Sequence, residues 1–324
     1  MSGPVASTGE GWRRRRLLLG AALLGVVGRG VASSPRVWLV PSDTGSANEE
    51  AATAVREGLA AMAAVEQTGW EAGVVAGSGA DRDAPRVIVT LGTAALRGMM
   101  ARRAREPALA AVPLVAGLVP RHAIEAEVPS GSRQVAVIAL DQPVERYGEL
   151  VRQAMPQRRR LGLLVGTPVA GSVEALQRWA ARAGRDLQIE PVRSEGLAPA
   201  LRRVLETADV LLAVPDPAIF TPEALQNILI ASYRRRVPVV SYAPAHVRAG
   251  AVLALAVTPA QAGRQIAEAA RAALQGRALP ALALARDFAV AVNEPVARSL
   301  ELVLPTAAAL EAALRQADRQ EGRG

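Results

Sequence analysis

The chain of 324 residues contains no cysteine, and aromatic residues make up only 3% of it. The absence of cysteine excludes thiol catalysis, disulfides and zinc sites built on cysteine. It also excludes the lipid-carrying cysteine that would tether an exported protein to a membrane. Lysine is absent too, so all 38 basic residues are arginine. We interpret this as a compositional bias of the source and not as a sign of a binding site. With so few aromatics, the core must be built from alanine, valine and leucine.

Familiar catalytic and cofactor motifs are also missing. The only two histidines, His122 and His246, have no metal-ligand spacing between them. The chain has no G-x-S-x-G nucleophile elbow and no P-loop. Gly77–Arg82, GSGADR, holds too few glycines for a dinucleotide fingerprint. Because no acid–base or nucleophilic set is visible, we predict a protein that is not an enzyme and that uses no cofactor and no metal.

The first 32 residues are predicted to be a signal peptide. Arg13–Arg16 form a positively charged segment, and the apolar run Leu17–Gly28 follows it. Gly30–Ser33 supplies the small residues that a signal peptidase requires, and we place the cleavage after Ala32. The apolar run is too short to span a bilayer comfortably, although an N-terminal anchor is the alternative. The sequence leaves open whether the Sec or the twin-arginine route is used.

Export leaves a mature chain of modest positive charge. Residues 1–32 hold five arginines and one glutamate, so their removal lowers the formal net charge from +8 to +4. The arginine clusters Arg158–Arg160 and Arg234–Arg236 each precede a strand-like run, where cations offset the dipole of a helix end. Aromatic residues for base stacking are not interleaved with them. We therefore predict no nucleic-acid partner. Because the chain has a predicted signal peptide and no lipid-carrying cysteine, we also predict a protein that is free in the periplasm.

Short apolar runs alternate with helical patterns along most of the mature chain. The predicted strands are Arg36–Val40, Arg86–Thr90, Pro113–Ala116, Gln134–Ala139, Leu161–Val165, Leu187–Ile189, Val210–Val214, Val237–Ser241, Ala251–Ala256 and Phe288–Val292. The predicted helices are Glu49–Val65, Thr93–Arg105, Val144–Met155, Val173–Ala183, Ala198–Ala208, Pro222–Arg235 and Pro259–Gln275. This alternation favours an α/β fold with parallel sheets, and so many strands exceed one comfortable sheet. We therefore expect two lobes.

Several of the predicted helices begin with capping signals. Thr221-Pro222-Glu223 combines a cap, a first-turn proline and an acid that matches the helix dipole. Thr258-Pro259 repeats this device. Ser46 and Glu49 are candidates for a capping box before the first long helix. These signals support the predicted helix starts.

Candidate ligand-binding residues lie just beyond the ends of the predicted strands. In open α/β sheets, ligands bind beyond the carboxyl ends of the strands. The residues found there supply small hydroxyls and the backbone amides of helix N-termini, which can hold a carboxylate or another anion. The candidates are Ser42, Thr44, Gly92, Thr93, Ala94, Thr167, Ser172, Asp216 and Tyr242.

Asp216 lies between two prolines and admits two interpretations. It could pair with an ammonium group on a ligand, or it could shape its own turn by accepting from nearby backbone N–H groups. The residues alone leave these alternatives level. We hypothesise that Thr93, with the amides of Thr93 and Ala94, holds an acidic or polar ligand group, and that Asp216 faces it from the other lobe.

Seven segments follow one another in an order that carries a family resemblance. They are Val89–Leu96 (VTLGTAAL), a strand ending in Pro215-Asp216, the helix after it, a Val-Pro-Val-Val strand at 237–240, Arg248–Ala251 (RAGA), Leu274–Pro280 (LQGRALP) and Val292–Pro305 (VNEPVARSLELVLP). From about Val37 to Pro305 the chain resembles the periplasmic substrate-binding proteins of ABC transporters. The family concerned contains tryptophan- and tyrosine-binding members.

This resemblance implies the type I periplasmic-binding fold, in which two Rossmann-like lobes with parallel sheets are joined by three crossovers and close on a ligand. The crossovers are expected near Leu140–Pro143, Tyr242–Val247 and Leu279–Asp287. Lobe one then comprises residues 36–140 and 243–278. Lobe two comprises residues 141–242 and 279–324, the latter including a C-terminal helix.

Two departures from the family pattern bear on the ligand. Members that bind amino acids usually carry Asp-Asn where this chain has Asp216-Pro217. They also carry a polar segment with Glu and Asn where this chain has Gly166–Ser172, GTPVAGS. The pocket has therefore lost polar groups that would hold an amino acid.

The resemblance implies a solute-binding protein that captures a small molecule and delivers it to an ABC importer. The ligand is expected to be an amino acid, an organic acid or an aromatic compound, and the protein partners to be permease subunits. The alternative is a periplasmic sensor on the same fold that signals to a membrane receptor or kinase.

Overall fold

A computed structural model describes residues 34–69, 84–129, 132, 134–166, 172–193 and 196–321. The predicted signal peptide, residues 1–32, lies outside them. The strands are β1 (Arg36–Pro41), β2 (Ala64–Gln67), β3 (Val87–Leu91), β4 (Leu114–Val119), β5 (Val135–Ala139), β6 (Arg160–Val165), β7 (Asp186–Pro191), β8 (Val210–Leu212), β9 (Val239–Ser241), β10 (Leu253–Ala256), β11 (Leu282–Leu284) and β12 (Ala289–Val292). The helices are α1 (Ser46–Leu59), α2 (Thr93–Arg105), α3 (Pro107–Ala110), α4 (Arg121–Glu127), α5 (Val144–Ala154), α6 (Ser172–Arg182), α7 (Leu197–Thr207), α8 (Pro222–Arg234), α9 (Pro244–Ala249), α10 (Pro259–Leu274), α11 (Glu294–Ser299) and α12 (Ala307–Glu321).

The strands form two six-stranded sheets, one in each lobe. The first sheet has the order β11-β5-β4-β3-β1-β2, and all of its neighbouring strands are parallel. The second has the order β12-β10-β9-β8-β6-β7, in which only β12 runs antiparallel to its neighbour, β10. The predicted α/β fold with two parallel-sheet lobes is confirmed.

Helices cover both faces of each sheet, which is why the inner strands β3, β5 and β8 are buried along their whole length. In lobe one, α1 and α10 pack on one face and α2, α3 and α4 on the other. In lobe two, α5, α6, α11 and α12 cover one face and α7, α8 and α9 the other. With few aromatic residues, the core is filled by small residues that approach closely. Gly263 of α10 lies so near Ala51 of α1 that a β-carbon on Gly263 would clash.

All ten predicted strands are present, and two strands were missed. The burial pattern of β2 is mostly exposed, so its sequence, AVEQ, carries no apolar run. β11 is a three-residue strand at the sheet edge. The predicted helix Glu49–Val65 ends at Leu59, because the chain turns there to enter β2.

Two of the predicted caps are confirmed and one is wrong. Thr221 accepts from the Ala224 amide, and Thr258 forms a full capping box with Gln261. Ser46 does not cap α1, because the N-cap residue is Gly45 and no side chain caps it.

Strand pairing divides the chain between the lobes differently from the sequence-based expectation. Residues 243–278 were expected in lobe one, yet β10 pairs with β9 in the second sheet. Residues 279–324 were expected in lobe two, yet β11 pairs with β5 in the first sheet. The three crossovers therefore lie at residues 140–143, 257–258 and 285–288. The expected crossover at Tyr242–Val247 is instead the β9–α9 connection within lobe two.

Candidate functional site

The cleft between the lobes lies at the carboxyl ends of the parallel strands of both sheets, and three cavities fill it. The hinge cavity, of about 300 Å³, lies between residues 141–145, the end of β6 and the start of α6. The tyrosine cavity, of about 380 Å³, contains Tyr147 and Tyr242. The outer cavity, of about 890 Å³, opens beside the starts of α1 and α2.

These cavities adjoin one another, because neighbouring ones share lining residues. The hinge and tyrosine cavities share Asp141 and Asp216. The tyrosine and outer cavities share Leu140 and Val257, which belong to the first two crossovers. A ligand in this cleft therefore contacts both lobes and the segments that connect them.

Four predicted residues, Ser42, Gly92, Thr93 and Ala94, meet on the lobe-one wall of the outer cavity. Helix α2 begins at Thr93 after the N-cap residue Gly92, and no side chain of its own caps it. Instead, Oγ of Ser42 accepts a 2.9 Å hydrogen bond from the amide of Ala95. The amides of Thr93 and Ala94 have no intrahelical partner, as in the first turn of any helix. The positive end of α2 is therefore available to an acceptor group on a ligand.

A carboxylate stands beside this positive helix end. Oδ1 of Asp43 accepts hydrogen bonds of 2.7 Å from both Nδ2 of Asn48 and the amide of Gly45. The bond from Asn48, and then that from Gly45, lowers the pKa of Asp43 below its ordinary value. The outer cavity thus presents both a positive and a negative group. Thr44, which was predicted to belong to the site, is exposed and lines none of the three cavities.

Asp216 lies on the lobe-two wall, in the loop between β8 and α8. Only 4% of the residue is exposed. Its Oδ2 accepts a 2.8 Å hydrogen bond from the amide of Gly166, and its Oδ1 accepts one of 3.0 Å from the amide of Ala218. The side chain therefore shapes its own turn and also joins that turn to the loop after β6. These contacts favour the turn-forming interpretation.

Tyr242 follows β9 and is half-buried in the tyrosine cavity. Its ring contacts Phe220 and His246 edge to face, with centroids 5.9 and 4.8 Å away. Burial raises the pKa of its hydroxyl, and the nearby Asp216 and Asp141 raise it further. The hydroxyl therefore stays protonated at neutral pH and can donate a hydrogen bond to a ligand.

The start of α6 brings one further predicted residue to the cleft. Ser172 is the first residue of this helix and lines the hinge cavity. Thr167, the last of the predicted site residues, lies outside the residues that the structure describes. Six other predicted residues line the cleft from the outer and tyrosine cavities, and Thr44 alone is described away from it.

The sequence analysis did not predict two residues of the cleft, Asp141 and Tyr147. Oδ2 of Asp141 accepts a 2.6 Å hydrogen bond from the amide of Arg121, and burial raises the pKa of this carboxyl above its ordinary value. Asp141 stands two residues after a predicted strand, so the rule that selected Asp216 also applies to it. Tyr147 lies one turn inside α5, where no sequence signal distinguishes a cleft residue from a core residue.

The chemistry of the cleft is that of a binding site. Its polar groups are backbone amides, hydroxyls, carboxylates, the side-chain amides of Asn48 and Gln142, two arginines and a histidine. Across the described ranges, no three His, Asp or Glu side chains come together in a way that could hold a metal ion.

The sequence pattern of the family described as ABC transporter substrate binding protein matches residues 79–315. The chain belongs to this family. The match covers the lobe-one wall at Thr93, the first crossover and the whole of lobe two up to α12. No curated protein matches this substrate binding protein. Within the part of it that the structure describes, no helix is both long and apolar enough to cross a bilayer.

Solved structures share its fold at low sequence identity. A ligand-free, open substrate binding protein with adhesive properties from Clostridium difficile is 15% identical, with a TM-score of 0.63 over 84% of this chain and 96% of that one. An ABC domain from Streptococcus pneumonia in complex with L-Trp is 16% identical, with a TM-score of 0.54 over 86% and 98%. A conserved domain protein from Vibrio cholerae is 19% identical, with a TM-score of 0.53 over 86% and 98%. The fold is thus the type I periplasmic-binding fold.

Proposed function

We propose that this substrate binding protein is exported to the periplasm, takes up a small molecule between its lobes and delivers it to the membrane subunits of an ABC importer. Residues 1–32 serve as the signal peptide, and the mature protein carries no lipid because it has no cysteine. Binding leaves the ligand chemically unchanged. Family membership favours delivery to an importer over the alternative role as a sensor.

The observation that carries this proposal is the set of three adjoining cavities at the carboxyl ends of both sheets. This is where open α/β sheets bind ligands. The cleft is lined by both lobes, and three short connections join them. Closure of such lobes about their connections is a common response to a ligand.

The lining of the cleft supports a ligand that is partly polar and partly aromatic. The amides at the start of α2 and the hydroxyl of Ser42 supply polar contacts on lobe one. Phe220 and Tyr242 supply ring edges and faces on lobe two. We propose an amino acid, an organic acid or an aromatic compound, and we include amino acids because the Streptococcus relative is bound to L-Trp.

A thermal-shift screen of the purified protein against these three classes of compound tests the proposal. A compound that binds only the folded state stabilises it by RT ln(1 + [L]/Kd), which is about 2.7 kcal/mol at one hundred times Kd. We expect at least one class to raise the melting temperature in a saturable way. Absence of any saturable shift across the three classes contradicts the proposal.

Small-angle scattering of the same protein then tests closure. With a confirmed binder, we expect a smaller radius of gyration than without it, because the lobes approach one another. A scattering curve that the binder leaves unchanged shows that capture does not proceed by closure.

A further inference from the structure

Two carboxylates face the tyrosine cavity, and the structure distinguishes them sharply. Asp216 is almost fully buried, and each of its oxygens accepts a hydrogen bond from a backbone amide of its own lobe. Asp141 is only partly buried and lies in the first crossover, where it lines both the hinge and the tyrosine cavities. Its Oδ2 accepts from the amide of Arg121, and among the described residues no hydrogen bond reaches its Oδ1, although the charges of His122 and Arg121 act on the carboxyl from α4. One oxygen of Asp141 is thus left for a ligand.

The surroundings of Asp141 favour a positive group. The described lining of the tyrosine cavity contains two carboxylates, two tyrosines and Phe220 but no arginine. The only imidazole in that lining belongs to His122, which is exposed on α4. Aromatic faces attract cations, and a buried carboxylate gains most from an opposite charge. Arg121 lines the hinge cavity, which Asp141 also lines, and not the tyrosine cavity.

We propose that Asp141 is the residue that selects a protonated amine, or a similar cationic donor, on the ligand, and that Asp216 is a structural residue that holds two loops together. This inference rests on the proposed function, because it requires that the cleft bind a ligand. It adopts the turn-forming interpretation of Asp216, one of the two that the sequence left open.

The position of Asp141 couples recognition to closure. Its oxygen is anchored by an amide of α4 in lobe one, while the next residues of the crossover lead directly into α5 of lobe two. A cation bound at Asp141 therefore lies on the first connection between the lobes. It can touch Tyr147 and Tyr242 of lobe two without losing the carboxylate of the crossover.

The test uses three probes of similar shape and different charge: phenethylamine, L-phenylalanine and 3-phenylpropionate. Their dissociation constants are measured by calorimetry for the wild type and for Asp141→Asn. We expect the wild type to bind phenethylamine or L-phenylalanine more tightly than 3-phenylpropionate. In Asp141→Asn, binding of the amine-bearing probes should weaken at least tenfold, whereas binding of 3-phenylpropionate should stay the same or improve.

Two variants separate direct recognition from other effects. Asp141→Glu keeps the charge and should retain part of the preference for amines. Asp186→Asn removes an equal charge at the start of β7, outside all three cavities, and it should change amine binding less than threefold. Asp141→Asn should still fold, because an amide oxygen can accept from Arg121.

The outcomes distinguish this inference from the proposed function. If the wild type binds 3-phenylpropionate in preference to both amines, or if Asp141→Asn binds amines as the wild type does, Asp141 does not select a cation and the proposed function stands. If these probes and the whole screening panel fail to bind, the proposed function falls, and this inference falls with it.

Discussion

Oγ of Ser42 accepts a hydrogen bond of 2.9 Å from the amide of Ala95, 53 residues further along the chain. Ser42 directly follows β1, and Ala95 lies in the first turn of α2. The N-cap residue of α2, Gly92, has no side chain, so a serine from a different strand caps this helix. The cap thereby links two neighbouring loops at the edge of the cleft, and it holds the positive end of α2 in place.

Ser42→Ala should lower the free energy of unfolding by about 1 kcal/mol, because loss of an N-cap hydroxyl usually costs about that much. Urea unfolding of both proteins measures the difference. Thr44→Ala is the matched control, since Thr44 is exposed and lies outside the cleft cavities. Equal stability of Ser42→Ala and Thr44→Ala would contradict the capping role of Ser42.

Gly92→Ala should be more damaging than Ser42→Ala. Gly92 has a φ of 92°, and a β-carbon there would lie 2.5 Å from Oγ of Ser42 and 2.9 Å from its Cβ. Backbone strain and the clash together should cost about 2–5 kcal/mol, measured by urea unfolding. Gly276→Ala is the control for strain alone, because Gly276 has a φ of 72° and no atom within 4 Å of the added carbon. If both variants lose the same stability, the contact with Ser42 is unimportant.

Asp216→Asn should destabilise the protein, although it keeps the shape of the side chain. Both oxygens accept from backbone amides, those of Gly166 and Ala218. In Asn an NH₂ group replaces one of these oxygens, so this donor would face the N–H donor of the backbone. Hydrogen bonds to charged groups contribute about 1.5–3 kcal/mol, and we expect a loss of that order in urea unfolding.

Asp43→Asn is the matched control for Asp216→Asn. A single oxygen of Asp43, Oδ1, accepts both of its hydrogen bonds, from Gly45 and Asn48. An amide oxygen can therefore replace it, and we expect a smaller loss of stability than in Asp216→Asn. The reverse order would show that Asp216 does not depend on having two acceptor oxygens.

Arg146 connects two crossovers to the C-terminal helix. Its guanidinium donates to the Oε1 of Gln142, pairs with Asp318 of α12 at 2.9 Å and lies 4.6 Å from the ring centroid of Phe288. Gln142 in turn donates to the carbonyl of Asp287 at 3.1 Å. Arg146→Ala should therefore speed amide hydrogen exchange at residues 140–143 and 285–288, because it frees the first and third crossovers from each other.

Arg315→Ala is the control for Arg146→Ala. Arg315 also lies over Phe288, 5.3 Å from the ring centroid, but its guanidinium pairs with Glu311 within α12. We expect exchange at residues 140–143 to stay as in the wild type. If both variants speed exchange there equally, packing on Phe288 governs the crossovers and the bond to Gln142 does not.

Asp141→Asn should stabilise the unliganded protein at neutral pH. Burial raises the pKa of Asp141 above 3.8, although the charges of Arg121 and His122 on α4 act to lower it. Tyr147 on α5 and Tyr242 after β9 also face Asp141, and both are neutral. A raised pKa means that the folded state binds the proton more tightly, so its stabilising contribution is present at low pH and is lost as the pH rises through the folded pKa. The melting temperature of Asp141→Asn should exceed that of the wild type at pH 7, and the difference should shrink towards pH 3.

Asp209→Asn should show the opposite sign. Burial acts to raise the pKa of Asp209, but hydrogen bonds from the side chain and amide of Arg160 and from the amide of Arg159 outweigh it, so the pKa is lowered. Its stabilising contribution is present at neutral pH and is lost as the pH falls. The variant should therefore melt below the wild type at pH 7. A stability gain for Asp209→Asn, or a loss for Asp141→Asn, at pH 7 would contradict this assignment.

Local sequence patterns predicted the regular elements wherever one short segment contained the whole signal. Thr221 and Thr258 cap their helices because a hydroxyl, a proline and the following amides lie within four residues of each other. Fully apolar runs such as that of β5 identified buried parallel strands. The edge strands β2 and β11 were missed because one is polar and the other is three residues long.

The candidate site was predictable only in part. The rule that ligands bind beyond strand ends brought Ser42, Thr93 and Asp216 to the cleft from distant parts of the chain. It did not reveal that the two oxygens of Asp216 are bonded to backbone, nor that Asp141 remains accessible. Both facts depend on loops that are far apart in sequence and adjacent in space.

The sequence by itself determined the alternation of strands and helices, the two-lobe fold and the family, because these depend on hydrophobic period and on the order of short motifs. Tertiary structure alone decided to which lobe β10 and β11 belong, which serine caps α2 and which carboxylate is bonded to backbone amides through both oxygens. Each of these is set by contacts between segments far apart in the chain, and the cost of leaving a buried amide or carboxylate unpaired selects one arrangement among many that the local pattern allows.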